Sequence, residues 1–413
     1  MDTHSYLNKI KESEKRNSEF LHLTANENQM SETARKFLGS KISERYYFGG
    51  GNEEEIADFG HFTALGFKSV EELILAAKEA AKKMLFAADV NLNVLSGVHA
   101  MMSAILSTTE PGDLVMTVPL EAGGHFATKG ILARVGRKHA FLDYDFSALK
   151  FDTQKIAENF KKSGARAIYL DVSYYLNPHN LTEIREAVGD EAIIIYDASH
   201  TMGLIMGQTF QAPLKEGANV MCANTHKTLP GPHKGMIAFR DKELAEKANS
   251  IIDGCLYSTP HMTHLIALST TILELQEFGQ EYAKQIIANS NAMAAAFEKI
   301  GYTVGKANTG RYSENHQAHV YIDGLGDHLK LYKNLLNNNI STNFEGTEFS
   351  RGKWFIRIGM AEVTRRGMKE AEMGQIAGFM DRAMKGENVK EEVISFNKKF
   401  DKIHYSFDQG LSL

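Results

Sequence analysis

The stretch Ala218–Pro232, ANVMCANTHKTLPGP, decides how this 413-residue chain is interpreted. Its first part, 218–223, is an apolar run of strand character, and its second part is small, polar and rich in turn formers. A strand that ends in such a turn presents its last side chains at one edge of a sheet. Lys227 lies in this turn, next to His226. A lysine becomes a nucleophile when burial or a neighbouring positive charge lowers its pKa, so Lys227 is a candidate catalytic residue.

Strand-like and helical segments alternate from about residue 71 to residue 250. This alternation is typical of an α/β fold with a mostly parallel sheet. Several of the predicted strands are apolar on both faces, as buried parallel strands are. The predicted strands are 90–95, 113–118, 166–171, 192–197, 218–223 and 235–239. Helical spacing of apolar residues is found between them at 71–86, 98–107 and 152–163.

The second half of the chain predicts a smaller domain. A helical stretch at about 262–300 leads to two predicted strands, 319–322 and 354–358, and to helices at 327–337 and 366–383. The predicted organisation is an N-terminal arm 1–20, a large domain 21–260, a connecting helical region 261–300, a small C-terminal α+β domain 301–385 and a tail 386–413.

Composition excludes several classes of function. With 43% hydrophobic and 23% charged residues, the chain has the composition of a globular protein with a substantial core. A net charge of −5 without a basic block argues against nucleic-acid binding, and no apolar run suits a membrane span or a signal peptide. The two cysteines are too few for a disulfide framework or a thiolate metal site, so we expect a cytoplasmic protein without a metal.

Three further segments point to one cofactor. Asp197 ends a predicted strand one βαβ unit before Lys227, and a carboxylate there can keep a pyridine nitrogen protonated, which makes the ring an electron sink. Ser96-Gly97 joins a strand to a helix, where N–H groups bind phosphate. His125 follows two glycines and can stack on a flat ring. These positions predict pyridoxal phosphate, with Lys227 as its Schiff-base lysine.

Arg357 stands within an apolar predicted strand. Its planar guanidinium suits two-pronged capture of a substrate α-carboxylate. A structural ion pair explains the same residue nearly as well, so the sequence leaves both interpretations open.

Taken together, these residues resemble the serine hydroxymethyltransferase family of fold-type-I pyridoxal phosphate enzymes, from about residue 21 to residue 368. The matching segments, in order, are Leu23-Thr24-Ala25-Asn26-Glu27-Asn28, Arg45-Tyr46-Tyr47, Ser96-Gly97, Gly123-Gly124-His125, Asp197 with His200, Thr225-His226-Lys227-Thr228, Gly231-Pro232, and Arg357 with Thr364-Arg365-Arg366-Gly367.

The resemblance implies a fold-type-I α/β transferase with its active sites shared in a homodimer, where Tyr47 reaches the neighbouring subunit's site. The implied catalytic residues are Lys227, Asp197, His125, His226, Tyr47 and Glu27. The implied cofactor-binding residues are Ser96, Gly97, His125, Ser173, Asp197, His200 and Lys227. The implied substrate-binding residues are Asn26, Tyr46, Tyr47, His200 and Arg357.

The chain departs from the family where folate is concerned. The segment 39–46 is short and lacks the family's tyrosine, glutamate and Gly-Tyr-Pro-Gly run, and the missing glutamate is tied to folate-dependent chemistry. The segment 258–262 replaces a glycine-rich loop that the partner subunit usually donates. These changes spare the cofactor core, so tetrahydrofolate is expected to be optional or unused.

The resulting prediction is an enzyme that acts at the Cα of an amino acid. The leading hypothesis is aldol or retro-aldol chemistry, of hydroxymethyltransferase, transaldolase or aldolase type, on a β-hydroxy-α-amino acid such as serine or threonine. A racemase or aminotransferase on the same scaffold is the alternative, and a non-catalytic protein that binds pyridoxal phosphate is the third hypothesis.

Overall fold

The computed structural model describes residues 2–49, 55–58, 60–346 and 353–409. It divides into two compact units, each built from separate parts of the chain. The large unit comprises Asn28–Lys284 and Tyr405–Leu413, and the small unit comprises Met1–Glu27 and Gln285–His404. The domain bounds expected from the sequence stay a prediction.

A seven-stranded sheet forms the centre of the large unit. Its strands, in chain order, are β1 (Asp89–Asn91), β2 (Leu114–Thr117), β3 (Lys138–Phe141), β4 (Ala167–Leu170), β5 (Ile193–Asp197), β6 (Val220–Asn224) and β7 (Gly235–Phe239). Their spatial order is β1-β7-β6-β5-β4-β2-β3. The pairs β6-β5, β5-β4, β4-β2 and β2-β3 are parallel. Strand β7 is antiparallel to both β6 and β1.

The connection after each strand explains its direction. Parallel neighbours need a crossover of a dozen or more residues, usually with a helix. The turn 225–234, which contains Lys227, joins β6 to β7 without a helix, so β7 returns antiparallel beside β6. All residues of β6 and β7 are buried, as their apolar sequences predict.

Helices cover the sheet of the large unit. They are α1 (Lys68–Leu85), α2 (Gly97–Thr108), α3 (Thr128–Arg134), α4 (Thr153–Ser163), α5 (Leu181–Val188), α6 (Met202–Met206), α7 (Pro213–Glu216), α8 (Lys242–Ile251) and α9 (Met262–Lys299). The core between α2 and the sheet includes Ala104, Ile195, Val220 and Ile237, all with 0% exposure. Short strands also pair within this unit, Ile56–Asp58 with Thr63–Leu65 and Tyr144–Asp145 with Lys150–Phe151.

The small unit has a three-stranded antiparallel sheet of β8 (Gln317–Tyr321), β9 (Asn343–Glu345) and β10 (Phe355–Gly359), in the order β8-β10-β9. Its helices are the N-terminal helix Thr3–Ser18, the C-terminal part of α9, α10 (His328–Asn337), α11 (Ala361–Arg365), α12 (Glu370–Met384) and α13 (Lys390–Asn397). Leu21–His22 pairs in parallel with Ile340–Ser341.

One predicted helix of the small unit begins later than the sequence suggested. The expected helix 366–383 is interrupted at Gly367, whose φ of +87° ends α11, and α12 begins at Glu370. The N–H of Lys369 donates to the Glu372 side chain at 2.8 Å and so caps the new helix. Positive φ favours glycine, so the break is built into the sequence.

None of the helices in the described ranges has the length and apolar character that crossing a membrane requires. Within the same ranges, no group of three or more His, Cys, Asp or Glu side chains is arranged to hold a metal ion.

Candidate active site

The turn after β6 holds Lys227 in a fixed loop. Thr225 Oγ1 donates to the Pro232 carbonyl at 2.6 Å, which closes the loop on itself. Asn28 Nδ2 donates to the Lys227 carbonyl at 2.5 Å and so anchors the backbone. Lys227 Nζ lies 3.1 Å from His200 Nε2. The amine is therefore presented at the carboxyl edge of the sheet, where ligands of parallel α/β folds bind.

Asp197 ends β5 at the same edge. Its Oδ2 accepts a 2.6 Å hydrogen bond from the Tyr169 hydroxyl, and its Oδ1 accepts the Ser199 N–H at 2.8 Å. Burial, reinforced by the Asp197 charge, raises the pKa of Tyr169 well above its ordinary value, so this tyrosine stays a donor. With one donor on each oxygen, the carboxylate is held in a fixed orientation at this edge.

His125 follows the glycine pair Gly123-Gly124. A Cβ on Gly124 would collide with the Val118 carbonyl, so this close passage of the chain requires glycine. Burial lowers the pKa of His125, the nearby Asp197 opposes this shift, and Lys227 adds to it. The imidazole is therefore neutral at pH 7 and is presented as a flat, uncharged ring.

Asp171, directly after β4, supports the His125 segment. Its Oδ2 accepts the His125 N–H at 3.3 Å and the hydroxyl of Thr128, the first residue of α3. Burial raises the pKa of Asp171 to about 7; the Thr128 hydrogen bond opposes this rise and the Asp197 charge adds to it.

The N-terminus of α2 forms another wall. Ser96 is its N-cap and accepts the His99 N–H at 3.1 Å. A Cβ on Gly97 would lie 2.7 Å from the Asn224 Cβ, so glycine allows the helix start to approach β6. The first N–H groups of a helix have no partner within it, and the helix dipole favours an anion there.

These elements enclose one cavity. With its mouth, it contains about 460 Å³ that protein atoms do not fill. Of the residues predicted for the site, the cavity lining includes Gly97, His125, Ser173, Asp197, His200 and Lys227. The lining also contains residues that the sequence interpretation missed: Val98, Met101, Thr128, Tyr169, Asp171, Val172, Ser199 and Asn224.

Three other predicted residues of the large unit have different surroundings. His226 stacks on His233 with ring centroids 3.8 Å apart, and burial, then the charges of His233 and Lys227, lower its pKa to about 4. Tyr46 is 58% exposed. Tyr47 is buried, lines a second cavity and donates its hydroxyl to Glu71.

The remaining predicted residues belong to the small unit. Asn26 Oδ1 is buried and has no hydrogen-bond partner among the described residues. Glu27 accepts from Thr24 Oγ1 and is half exposed. Arg357, on β10, is buried and forms an ion pair with Glu345 at 3.2 Å, so both interpretations of this arginine remain available.

A second lysine lies just beyond the Lys227 loop. Lys234 is 1% exposed and donates to three carbonyls, those of Asn93 (3.3 Å), Val94 (3.1 Å) and Pro260 (2.9 Å). Burial lowers the pKa of Lys234 to about 7. Its ammonium thus joins the segment before α2, the segment after Lys227 and the segment before α9.

The donor set of the large-unit cavity fits pyridoxal phosphate. The Lys227 amine suits the aldehyde, and the Asp197 carboxylate, which accepts two hydrogen bonds, suits the ring nitrogen. The neutral imidazole of His125 suits the ring face, and the N-terminus of α2 suits the phosphate. The sheet and this site together define a pyridoxal-phosphate-dependent enzyme of fold type I.

Comparison with known proteins narrows this class. A family model described as serine hydroxymethyltransferase matches residues 2–380. The serine hydroxymethyltransferase of Methanosphaera stadtmanae is 34% identical over 399 residues, covering 94% of this chain and 92% of that protein. The corresponding protein of Archaeoglobus fulgidus is 35% identical over 404 residues, covering 94% and 89%. The chain belongs to the serine hydroxymethyltransferase family.

A solved structure agrees with this assignment. The L-threonine transaldolase of Pseudomonas fluorescens superposes with a TM-score of 0.90 at 28% identity, covering 99% of this chain and 94% of that one. The predicted fold class, the cofactor and the class of enzyme, a pyridoxal-phosphate-dependent transferase or aldolase, are confirmed.

Proposed function

We propose that this protein carries out aldol or retro-aldol chemistry on a β-hydroxy-α-amino acid such as serine or threonine. The observation that carries the proposal is the pairing of Lys227 Nζ with His200 Nε2, 3.1 Å apart, in the cavity that Asp197 also lines. Both the family of hydroxymethyltransferases and the similarity to an L-threonine transaldolase support it.

When bound, pyridoxal phosphate withdraws electrons from the amino acid Cα and so weakens the bonds to that atom. Lys227 would hold the aldehyde carbon of the cofactor, and Asp197 would keep the proton on the ring nitrogen. His125 would cover one face of the ring, Ser173 would lie near the phenolic oxygen, and Ser96 with Gly97 would hold the phosphate.

The remaining residues would orient the substrate and move protons. His200 Nε2 can hold a proton beside the Lys227 amine, because their nitrogen atoms are within hydrogen-bond distance. Arg357 would bind the α-carboxylate in place of its present partner Glu345. Together with Asn26 and Tyr46, it would fix which bond of the substrate Cα stands perpendicular to the cofactor ring. His226, Tyr47 and Glu27 stay candidate proton carriers.

Folate is optional or unused in this proposal. The shortened segment 39–46 supports this view, as does the similarity to a transaldolase. The same proposal includes a homodimer in the cytoplasm. In the proposed dimer Tyr47, whose hydroxyl donates to Glu71 beside a second cavity, would reach the partner subunit's site.

One experiment tests the function. The purified holoenzyme is mixed separately with serine, threonine, glycine and alanine in deuterated buffer, with and without tetrahydrofolate, and the products are followed by NMR. We expect an aldehyde from serine or threonine without folate. Deuterium at Cα without any aldehyde would replace this proposal with a racemase or aminotransferase.

Two variants connect the result to the cavity. Lys227→Ala should lose both the turnover and the visible absorbance of bound cofactor, because the amine that holds the cofactor is gone. Lys242→Ala is the matched control, since Lys242 is an 83% exposed lysine on α8. An unchanged spectrum in Lys227→Ala would refute the assignment of Lys227.

A further inference from the structure

Asp171 is a buried carboxyl that the proposed function does not use. It lines the cofactor cavity and is 4% exposed. Only one of its oxygens is engaged: Oδ2 accepts from the His125 N–H and from Thr128 Oγ1. Its Oδ1 is buried and, in the part of the chain that the structure describes, has no hydrogen-bond partner.

Two carboxyl groups therefore share one cavity. Asp197 has a hydroxyl donor and an N–H donor divided between its two oxygens, whereas the donors from His125 and Thr128 meet at one oxygen of Asp171. Two like charges in a site of low dielectric cannot both be stabilised well. Asp197 is thus the better place for the negative charge.

The other titratable groups leave this balance in place. Tyr169, on β4, stays neutral and donates its hydroxyl to Asp197. Burial raises the pKa of the Cys222 thiol, on β6, so this thiol stays protonated. Burial lowers the pKa of His125, so its imidazole is neutral at pH 7. Lys227 and His200 line the same cavity, and the Lys227 Nζ lies 3.1 Å from the His200 Nε2.

We propose that Asp171 is a positioning residue for His125 and that it acts as a neutral carboxylic acid, which leaves Asp197 as the one carboxylate of the cavity. In this state Oδ2 is the carbonyl oxygen that accepts from His125 and Thr128, and Oδ1 carries the proton. Loss of that proton would place negative charge on an oxygen without a donor and would displace the His125 segment. The inference rests on the proposed placement of the cofactor in this cavity.

The test compares the wild-type holoenzyme with Asp171→Asn and Asp171→Ala. Asparagine resembles the protonated carboxyl, since it keeps an acceptor for the His125 N–H and never ionises. Infrared spectroscopy at about pH 6 detects the band of the protonated Asp171 carboxyl. Visible circular dichroism of the bound cofactor, recorded from about pH 5.5 to about pH 8.5, follows the loss of that proton. Asp152→Asn is the control, because Asp152 also accepts a backbone N–H, at the start of α4.

The wild type should show the infrared band and a dichroism change with a midpoint near pH 7, and Asp171→Asn should lack both. At about pH 6, Asp171→Asn should bind pyridoxal phosphate within about threefold of the wild type. Asp171→Ala should bind it about tenfold more weakly, because the buried Thr128 hydroxyl and the His125 N–H lose their acceptor. Asp152→Asn should behave as the wild type does.

An infrared band and a pH transition that persist in Asp171→Asn would overturn the inference, as would wild-type affinity in Asp171→Ala. If Asp171→Ala does not fold, the infrared band and the pH transition of Asp171→Asn alone test the inference. A cofactor spectrum that Lys227→Ala leaves unchanged would refute the cofactor's placement and this inference together. A lost spectrum in Lys227→Ala with unaltered behaviour in Asp171→Asn would refute this inference only.

Discussion

Replacing Lys234 with methionine should change how the stability of the protein depends on pH. The three carbonyls around Nζ favour the ammonium, but burial opposes it and lowers the pKa of Lys234 from 10.5 to about 7. In the unfolded chain this lysine keeps its proton up to about pH 10. Between these values the unfolded state binds more protons than the folded state, so the free energy of unfolding rises with pH.

The size of the effect follows from the two pKa values. From pH 7 to pH 9, Lys234 should increase the free energy of unfolding by about 2 kcal/mol, since one pKa unit corresponds to about 1.4 kcal/mol. Well below pH 7 both states hold the proton, and this contribution no longer changes. Methionine has a similar length and no charge, so Lys234→Met should lack the rise.

The assay is denaturant unfolding of the holoenzyme at pH 7 and pH 9, with the same excess of pyridoxal phosphate. The difference between wild type and Lys234→Met removes the contributions of other groups. Lys242→Met serves as the control, because that side chain is exposed and should leave the wild-type dependence intact. An equal change with pH in wild type and Lys234→Met would refute the reasoning.

Three further substitutions test the site. Tyr169→Phe removes the 2.6 Å hydrogen bond to Asp197. Because hydrogen bonds to charged groups contribute ~1.5–3 kcal/mol, cofactor binding should weaken at least tenfold in a fluorescence titration. Unchanged affinity would contradict a role of Tyr169 in supporting Asp197. Gly97→Ala puts a Cβ 2.7 Å from that of Asn224, and this clash must displace the start of α2. We therefore expect about tenfold weaker binding of pyridoxal phosphate by equilibrium dialysis. Wild-type binding would show that the helix start adapts. Arg357→Lys should raise the KM for the amino acid about tenfold with little change in kcat, because lysine lacks the planar fork; an unaltered KM would leave the arginine with its structural ion pair alone.

Part of this architecture could be predicted because apolar runs report burial directly. The predicted strand 235–239 coincides with β7, and 192–197 differs from β5 by one residue. The edge strand β3, Lys138–Phe141, has polar and half-exposed positions and therefore gave no such signal. Because β3 is an edge strand with an exposed residue at each end, a search for apolar runs did not detect it, whereas the other edge strand, β1, is mostly buried and overlaps the predicted strand 90–95.

The site was predictable where a residue ends a strand and less so where contacts cross between strands. Asp197 and Lys227 stand out because each follows an apolar run. Asp171 ends a predicted strand in the same way and could have been identified by the same rule. Tyr169 lies within β4, and its hydrogen bond to Asp197 depends on the β4–β5 pairing, which a linear pattern does not determine.

The discontinuous small unit has a consequence for synthesis on the ribosome. Its first strand, Leu21–His22, pairs with Ile340–Ser341, and the neighbouring Thr342 hydroxyl donates to the carbonyl of Leu23, 319 positions earlier in the chain. At ~5–20 residues per second, the ribosome needs roughly 15–60 s to make the intervening chain. Residues 21–23 must therefore wait for residues 340–342 before they can pair, while the segment that forms the central sheet emerges in between. Nascent chains that stop before residue 340 should leave their N-terminal segment open to proteases.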